Sequence, residues 1–454
     1  MKAIVIGSGV SGKSALKLLL EKGYSTEYLD EKYLNDDIYN VENNINFIKD
    51  MKDLDRLLRS LSFIVVSPGI DLDKQVFKII KRKKIKVIGE LELGFRHLNG
   101  DIIAVTGTNG KTTTTSLIKF ILDSTNKNVF VGGNIGTAVS SFATQTNTSD
   151  ISVLECSSYQ LESIDSFKPT ISAILNISED HLIRHKTMDN YINIKFNITK
   201  NQTENDYLLL NADCGILMQN PIKTNAKILY FSTKQRVNGC YIKNNCIYFN
   251  DNLIDKKLVS LDGIKLLGEH NLSNILCSVL SVYLLTNDIK ILSNITKFQG
   301  ISHRIEFIKT INGISFYNDS KATNIDSTMV ALSSFKCKIN LILGGSEKGY
   351  EFDKLFYNLP SNVVNIATFG QTKSKIYNCA KKYGFSNIVK CNTLRDCVEH
   401  LFNVANEKEI ILLSPACASF DHFSNYEERG NVFKKIVKEI DNNENALFKY
   451  SKKM

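Results

Sequence analysis

The chain has 454 residues, 43% hydrophobic and 23% charged, a composition that excludes disorder and a length that predicts about three domains. Its net charge of +9 comes from scattered Lys and Arg whose densest run is Lys81-Arg82-Lys83-Lys84, which argues against a nucleic-acid partner and suits anionic, phosphorylated ligands. The ten Cys contain no CxxC pair and so read as reduced thiols rather than as disulfides or a zinc site, and no apolar run approaches the roughly 18 residues of a membrane span.

Met1 leads straight into the apolar run Lys2-Ala3-Ile4-Val5-Ile6, which leaves no room for a signal peptide, so a cytoplasmic protein without a membrane partner is expected. Short β-branched runs alternate with helical patterns along the whole chain, which predicts an α/β protein built on parallel sheets. The first unit, residues 1–92, is expected to be Rossmann-like: strand 3–6, a glycine turn, a helix over 13–21, a strand ending at Asp30, and further strands at 63–66 and 86–88. The second, residues 93–298, restarts the grammar with strand 102–106, a phosphate-type loop, a helix from Thr112, and strands at 153–155 and 171–176, followed by hairpin-like pieces around 241–261. The third, residues 299–454, carries strand-like runs at 341–343, 365–369 and 410–413, each ending in Gly, Ser or Pro, and is expected to be Rossmann-like again.

Gly7-Ser8-Gly9-Val10-Ser11-Gly12 matches GxGxxG between a strand and a helix, with Asp30 about twenty positions on, the fingerprint of dinucleotide binding. Such a turn grips any pyrophosphate, so a UDP-linked ligand fits as well as a nicotinamide, and tight strand-to-helix packing without a ligand is a third reading. Thr106-Gly107-Thr108-Asn109-Gly110-Lys111-Thr112 is more specific. Its amides can cradle phosphates, Lys111 can reach the β and γ oxygens, and the Thr112 hydroxyl can face Mg²⁺. Val105 stands where a strict Walker A loop has Gly, so this is a variant loop of a central P-loop-type ATPase domain. Glu155 and the group Ser178-Glu179-Asp180-His181 end the next two strands and could hold Mg²⁺, although His is an unusual ligand for so hard a cation and a lone His is more often a hydrogen-bonding residue.

Six ordered motifs resemble the Mur ligase family, the ATP-dependent amino-acid-adding enzymes of peptidoglycan synthesis: TGTNGKT at 106–112, GGNIG at 132–136, LECSSYQLE at 154–162, SEDHLIRH at 178–185, GEHNLSN at 268–274 and SHRIE at 302–306. Within the family, NDSKATN at 318–324, LGGSEKG at 343–349 and SPACASFDHFSNYEERG at 414–430 look most like the D-glutamate-adding members. The DNPR-type signature of the diaminopimelate- or lysine-adding members is absent. Folylpolyglutamate synthases, a sister group, lack an N-terminal UDP-binding domain.

The resemblance implies that Gly107, Thr108, Asn109, Gly110, Lys111, Thr112 and Thr113 bind ATP, with Asn271 and Asn274 facing the adenine, Arg304 reaching phosphate and Asp319 the ribose. It implies two Mg²⁺ ions held by Thr112, Glu155, His181 and a carbamylated Lys195, which with Lys111 form the catalytic set; read alone, Lys195 is an exposed helix lysine. It aligns Ser11, Asp30, Asn134 and Gln160 with contacts to UDP-N-acetylmuramoyl-L-alanine, and Lys321, Thr323, Lys348, Ser419 and Tyr426 with a D-glutamate pocket. The implied chemistry is transfer of the γ-phosphoryl group to the alanyl carboxylate and attack of the D-glutamate amine on the acyl phosphate, in a monomer serving cell-wall synthesis and hence cell shape and division. Ile183, Cys156, Ser302, Glu347 and Tyr426 depart from the family's usual Asp, Leu, Pro, Asp or Gly, and Phe; none removes a side chain assigned to chemistry. A nicotinamide-dependent dehydrogenase, which needs no Lys111, and a silent nucleotide-binding regulator, which needs no metal residues, are the competing readings.

Overall fold

The structure, a computed structural model, describes residues 2–29, 46–47, 61–73, 75–264, 266, 268–298, 300–347, 349 and 351–451. Asp30 and Lys348, both expected to meet substrate, lie outside these residues. The chain forms two compact units, one of Met1–Ile264 with His270–Phe298 and one of Lys265–Glu269 with Gln299–Met454.

The first unit contains two sheets. In the N-terminal one, parallel strands lie in the order Asn46–Phe47, Ser25–Leu29, Lys2–Ile6, Phe63–Val66, Lys86–Gly89. Ala3, Ile4, Ile64 and Val65 are buried because helices cover both faces of such a sheet. Helix Val10–Glu21 begins three residues earlier than the periodicity predicts. Gly9, in extended backbone, ends the glycine turn and serves as the N-cap without a side-chain bond.

The central sheet has nine strands among the described residues, in the order Asp255–Ser260, Cys246–Asn250, Gly239–Lys243, Lys227–Ser232, Tyr207–Asn211, Ile171–Ile174, Asp101–Thr106, Ile151–Glu155, Val129–Gly133. The hairpin strands 239–260 pair antiparallel, and from Gly239–Lys243 onward the sheet is parallel. Strand Asp101–Thr106 lies between Ile151–Glu155 and Ile171–Ile174. The carboxyl ends of these strands therefore open on one edge, where an α/β sheet binds its ligand. Expected strand 171–176 stops at Ile174, because the Asn176 side chain turns to bind the phosphate loop: its Oδ1 accepts from Asn109 N (2.8 Å) and its Nδ2 donates to Asn109 O (3.0 Å).

Helix Glu90–Phe95 ties the two sheets together. Gly89 N donates to Ser163 O (2.8 Å), and buried Glu90 accepts from Ser140 N (2.7 Å) and Oγ (2.6 Å). Burial raises the Glu90 pKa above the usual carboxylate range. Glu92 is also buried, which alone would raise its pKa. Hydrogen bonds from Ser166, from the Asp165 amide and from Arg96 reverse this and hold its pKa low.

The second unit carries one sheet in the order Glu306–Ile311, Ile314–Asn318, Ile410–Leu413, Ile339–Gly344, Val363–Phe369, Ile388–Lys390. It is parallel except for the antiparallel edge hairpin Glu306–Asn318, whose two-residue turn Asn312-Gly313, at φ +47° and +76°, is a hairpin signal that the strand runs noted from sequence left out. Its two cores lie on either side, one around Leu341, Leu343 and Leu412, the other around Phe316, Ile342 and Leu413. No helix among the described residues is long and apolar enough to cross a membrane, and none of the ten cysteines is in a disulfide.

Candidate active site

In the phosphate loop, Gly110 has φ +85° and caps helix Lys111–Leu122, one residue longer than expected. Only glycine fits there, since a Cβ would stand 2.3 Å from Asn274 Oδ1. The loop is bound from several sides. Thr108 Oγ1 accepts from Ser178 N (3.0 Å) and lies 3.1 Å from the Tyr191 hydroxyl. The Lys111 ammonium donates to Gly107 O and Thr108 O (both 2.8 Å), folded back over the amides that a polyphosphate would meet.

Lys195 is the least expected element. On helix Met188–Phe196 it is only 1% exposed, and its ammonium donates to Gly107 O (2.9 Å) while lying 4.7 Å from the Tyr191 ring centroid. Burial, reinforced by the Lys111 charge, pulls its pKa down to about 7, so near neutrality a large fraction is the nucleophilic free amine. Burial likewise pushes the Tyr191 phenol up to about 12, keeping it a neutral hydrogen-bond partner.

Glu155 ends strand Ile151–Glu155 and is 2% exposed. Its Oε1 accepts from Asn134 Nδ2 (2.7 Å), whereas its Oε2 is buried with no hydrogen-bond partner. An orphaned carboxylate oxygen in a site of this kind is stabilised by a cation, so Glu155 fits a hard metal ion. His181 is differently placed, with its side chain 45% exposed, 3.3 Å from the Tyr159 hydroxyl and 3.4 Å from Asp180. Its backbone is left-handed, φ +55°. No group of three or more His, Cys, Asp or Glu side chains among the described residues forms a ready metal cage, so a metal here would rest on Glu155, hydroxyls, phosphate oxygens and any oxygen ligand made from Lys195.

The other expected residues of the first unit divide into two kinds. Asn274 and Asn271 are buried and bonded to each other (3.0 Å), and Asn274 Oδ1 also accepts from Thr114 Oγ1 (3.3 Å), so both brace the back of the phosphate-loop helix. Gln160 is buried, and its Oε1 accepts from Ser157 N and Oγ in a capping box at helix Ser158–Leu161, a pattern readable in Ser157-Ser158-Tyr159-Gln160. Ser11 lies in the first turn of helix Val10–Glu21, beside the glycine turn. Arg184, unassigned from sequence, donates to Ile70 O (2.9 Å) and Glu162 Oε2 (2.6 Å) and pairs with Asp71 (3.2 Å). Cys156 is fully buried and Ile183 fully exposed.

In the second unit, Asp319 accepts from Ile305 N (3.2 Å) and Ser414 Oγ (2.7 Å), and burial raises its pKa to about 7. Lys321, Thr323 and Arg304 share this neighbourhood: Lys321 N donates to His303 O and Thr323 N to Lys321 O. The Lys321 ammonium lies 5.5 Å from the Tyr426 ring centroid. Ser419 is buried one residue beyond Ala418, whose carbonyl accepts from Ser346 N. Glu347 accepts from Gly349 N (2.7 Å) and pairs with Lys375.

Comparison with known proteins places these features in one family. Residues 1–89 match the profile "Mur ligase MurD-like, N-terminal domain", 105–282 match "Mur ligase middle domain", and 303–417 match "Mur ligase, glutamate ligase domain". The chain is 40% identical over 449 residues to the UDP-N-acetylmuramoylalanine–D-glutamate ligase of Thermoanaerobacter sp. (strain X514), covering 97% of this chain and 98% of that protein. It is 39% identical to the enzyme of that name from Clostridioides difficile (strain 630), with 97% and 98% covered. Among solved structures, the pseudomurein peptide ligase type C of Methanothermus fervidus aligns with a TM-score of 0.58 at 19% identity, covering 97% of this chain and 99% of the other. The MurF ligase of Thermotoga maritima in complex with ADP aligns at 0.57 and 16%, covering 96% and 95%; both likenesses concern the fold.

Proposed function

We propose, for a chain that belongs to the Mur ligase family, how its own residues carry out the family's reaction. The protein is an ATP-dependent ligase that adds D-glutamate to UDP-N-acetylmuramoylalanine, forming an amide bond in peptidoglycan synthesis. The observation that carries this is the 40% identity, over 97% of the chain, with a D-glutamate-adding enzyme, joined to a strand–loop–helix that carries Lys111 and a neighbouring strand that ends in the buried, half-orphaned Glu155.

In our reading the γ-phosphoryl group of ATP passes to the alanyl carboxylate, with ADP as the leaving group. The amine of D-glutamate then attacks the acyl carbon, phosphate leaves and the amine gives up a proton. Gly107 to Thr113 supply amides and hydroxyls to the phosphates, and Lys111 exchanges its bonds to Gly107 O and Thr108 O for phosphate oxygens, offsetting the charge that spreads in the transition state. Bound Mg²⁺ would supply the further positive charge, with Glu155, Thr112, His181 and Lys195 as its holders. The low pKa of Lys195 supports carbamylation: the free amine adds to CO₂, loses a proton and becomes an anionic oxygen ligand. Asn134, anchored on Glu155, meets the acceptor carboxylate. Ser11, Asp30 and Gln160 bind the UDP-sugar. Asn271, Asn274, Arg304 and Asp319 serve ATP, and Lys321, Thr323, Lys348, Ser419 and Tyr426 bind the dicarboxylate. We assign residues 1–92, 93–298 and 299–454 to UDP-substrate, ATP and amino-acid binding, in a cytoplasmic monomer.

The test is phosphate release from ATP in the presence of UDP-N-acetylmuramoyl-L-alanine with D-glutamate, L-glutamate, L-lysine or L-alanine, for the wild type and Lys111→Ala. Release that needs D-glutamate and disappears in the variant is expected. Release with another amino acid would replace the substrate, and none with any would remove the ligase reading.

A further inference from the structure

Arg429 is fully buried, 0% exposed, near the start of helix Tyr426–Ser451. A buried guanidinium ordinarily has a carboxylate paired with it, yet among the described residues Arg429 forms no ion pair, and Asp421 attracts it only from a distance. It makes four hydrogen bonds instead: Nε to Ser320 Oγ (3.0 Å), Nη2 to Ser320 O (2.8 Å), and Nη1 to Cys417 O (3.0 Å) and Ala418 O (3.2 Å). Burial lowers its pKa to about 10, so it remains a cation at neutral pH. Ser320 extends the set, since the hydroxyl that accepts from Arg429 also donates to Tyr426 O (2.8 Å).

One planar fork thus joins three segments: residues 318–321, more than a hundred positions upstream, the 415–419 turn, and the start of the last helix on which Arg429 itself sits. Each carries a side chain that the proposed function places in the amino-acid pocket: Lys321 follows Ser320, Ser419 follows Ala418, and Tyr426 is held through Ser320. A compact ammonium, with three donors at a single point, cannot reproduce the five donors of the rigid fork that meet these four bonds in place, and a well-packed apolar side chain would often be as stable without a buried charge. What the guanidinium adds is spacing, together with a positive charge that the Asp421 carboxylate attracts from a distance without pairing with it.

We infer that Arg429 is a positioning residue for amino-acid recognition, setting the separation of Lys321, Ser419 and Tyr426. This rests on the assignment of those residues to the D-glutamate pocket. The experiment compares steady-state kinetics for each of the three substrates in Arg429→Lys, which keeps the charge and loses the fork, and in Ser320→Ala, which keeps Arg429 and cuts the link to Tyr426. The KM for D-glutamate should rise about 10- to 100-fold in the first and about 5-fold in the second, with kcat and the other two KM values within about 2-fold. Equal loss for all three substrates, or a fall in kcat with an unchanged D-glutamate KM, overturns the inference. If Arg429→Lys does not fold, the same split in Ser320→Ala decides. Lys321→Ala and Ser419→Ala separate the two levels. If they leave the D-glutamate KM unchanged the pocket itself is misassigned, and if they raise it while Arg429→Lys and Ser320→Ala do not, only the positioning role falls.

Discussion

The two glycine turns of the first unit begin alike and end as different instruments. Both follow a buried parallel strand, Lys2–Ile6 or Asp101–Thr106, and both open a helix of 12 residues. In the first, the residues between the glycines are Ser8, Val10 and Ser11, and the geometry is one of close backbone approach, since a Cβ on Gly12 would stand 1.7 Å from Gly7 O. In the second, Lys111 and Thr112 follow the last glycine, and Lys195, Tyr191, Asn176 and Asn274 converge on the loop from helices and a loop elsewhere in the unit. In the proposed function the same backbone device holds a pyrophosphate in one place and the reaction centre in the other, according to the side chains that surround it.

The sharpest way to break this contrast is Lys111→Ala, for which phosphate release should fall about 10³-fold while binding of the UDP-linked substrate, measured by calorimetry, stays unchanged. Lost UDP-substrate binding would mean that the two turns are one site. Next in size is the titration of Lys195. Its folded pKa of about 7 lies below the unfolded 10.5, so between those values the unfolded chain binds more protons and stability rises with pH, by at most about 1.4 kcal/mol per pH unit. In metal-free enzyme with ¹³C-bicarbonate, a carbamate resonance should grow as pH rises through about 7, and Lys111→Met, which removes a neighbouring cation, should move that midpoint upward. A midpoint near 10 would make Lys195 an ordinary helix lysine.

On the other side of the comparison, Gly12→Ala should lower stability by about 1–3 kcal/mol through overpacking and weaken UDP-substrate binding while sparing ATP, as read by thermal melts and binding assays. The smallest effect belongs to the strap between the turns. Arg184→Met removes the bonds to Ile70 O and Glu162 and the pair with Asp71; the KM for the UDP-linked substrate should rise about 5-fold and that for ATP stay put.

Much of this was legible in the residues. β-Branched runs marked the strands, and six motifs in order marked the family, but the bounds moved wherever a loop residue did something the local pattern cannot encode. Helix Lys111–Leu122 starts at Lys111 because the left-handed Gly110 caps it; strand Ile171–Ile174 ends early because Asn176 binds the phosphate loop. Gln160 carried a visible capping signal, with its Oε1 engaged at the helix start. Arg429 and Arg184 fall inside the quoted motifs at 414–430 and 178–185 yet received no role, since an arginine in an acidic or mixed helix reads as a solvated one.

By itself, the order of residues determined the α/β class, the two turns and the presence of the phosphate-loop lysine, all set by neighbours within a few positions and by the period of apolar side chains. Only the tertiary structure decided that Lys195, 88 residues from Gly107, is buried against it, that one oxygen of Glu155 is left without a partner, and that Arg429 holds segments more than a hundred residues apart in sequence. These are matters of desolvation and long-range hydrogen bonding, and a group's solvent and partners exist only once the chain has folded.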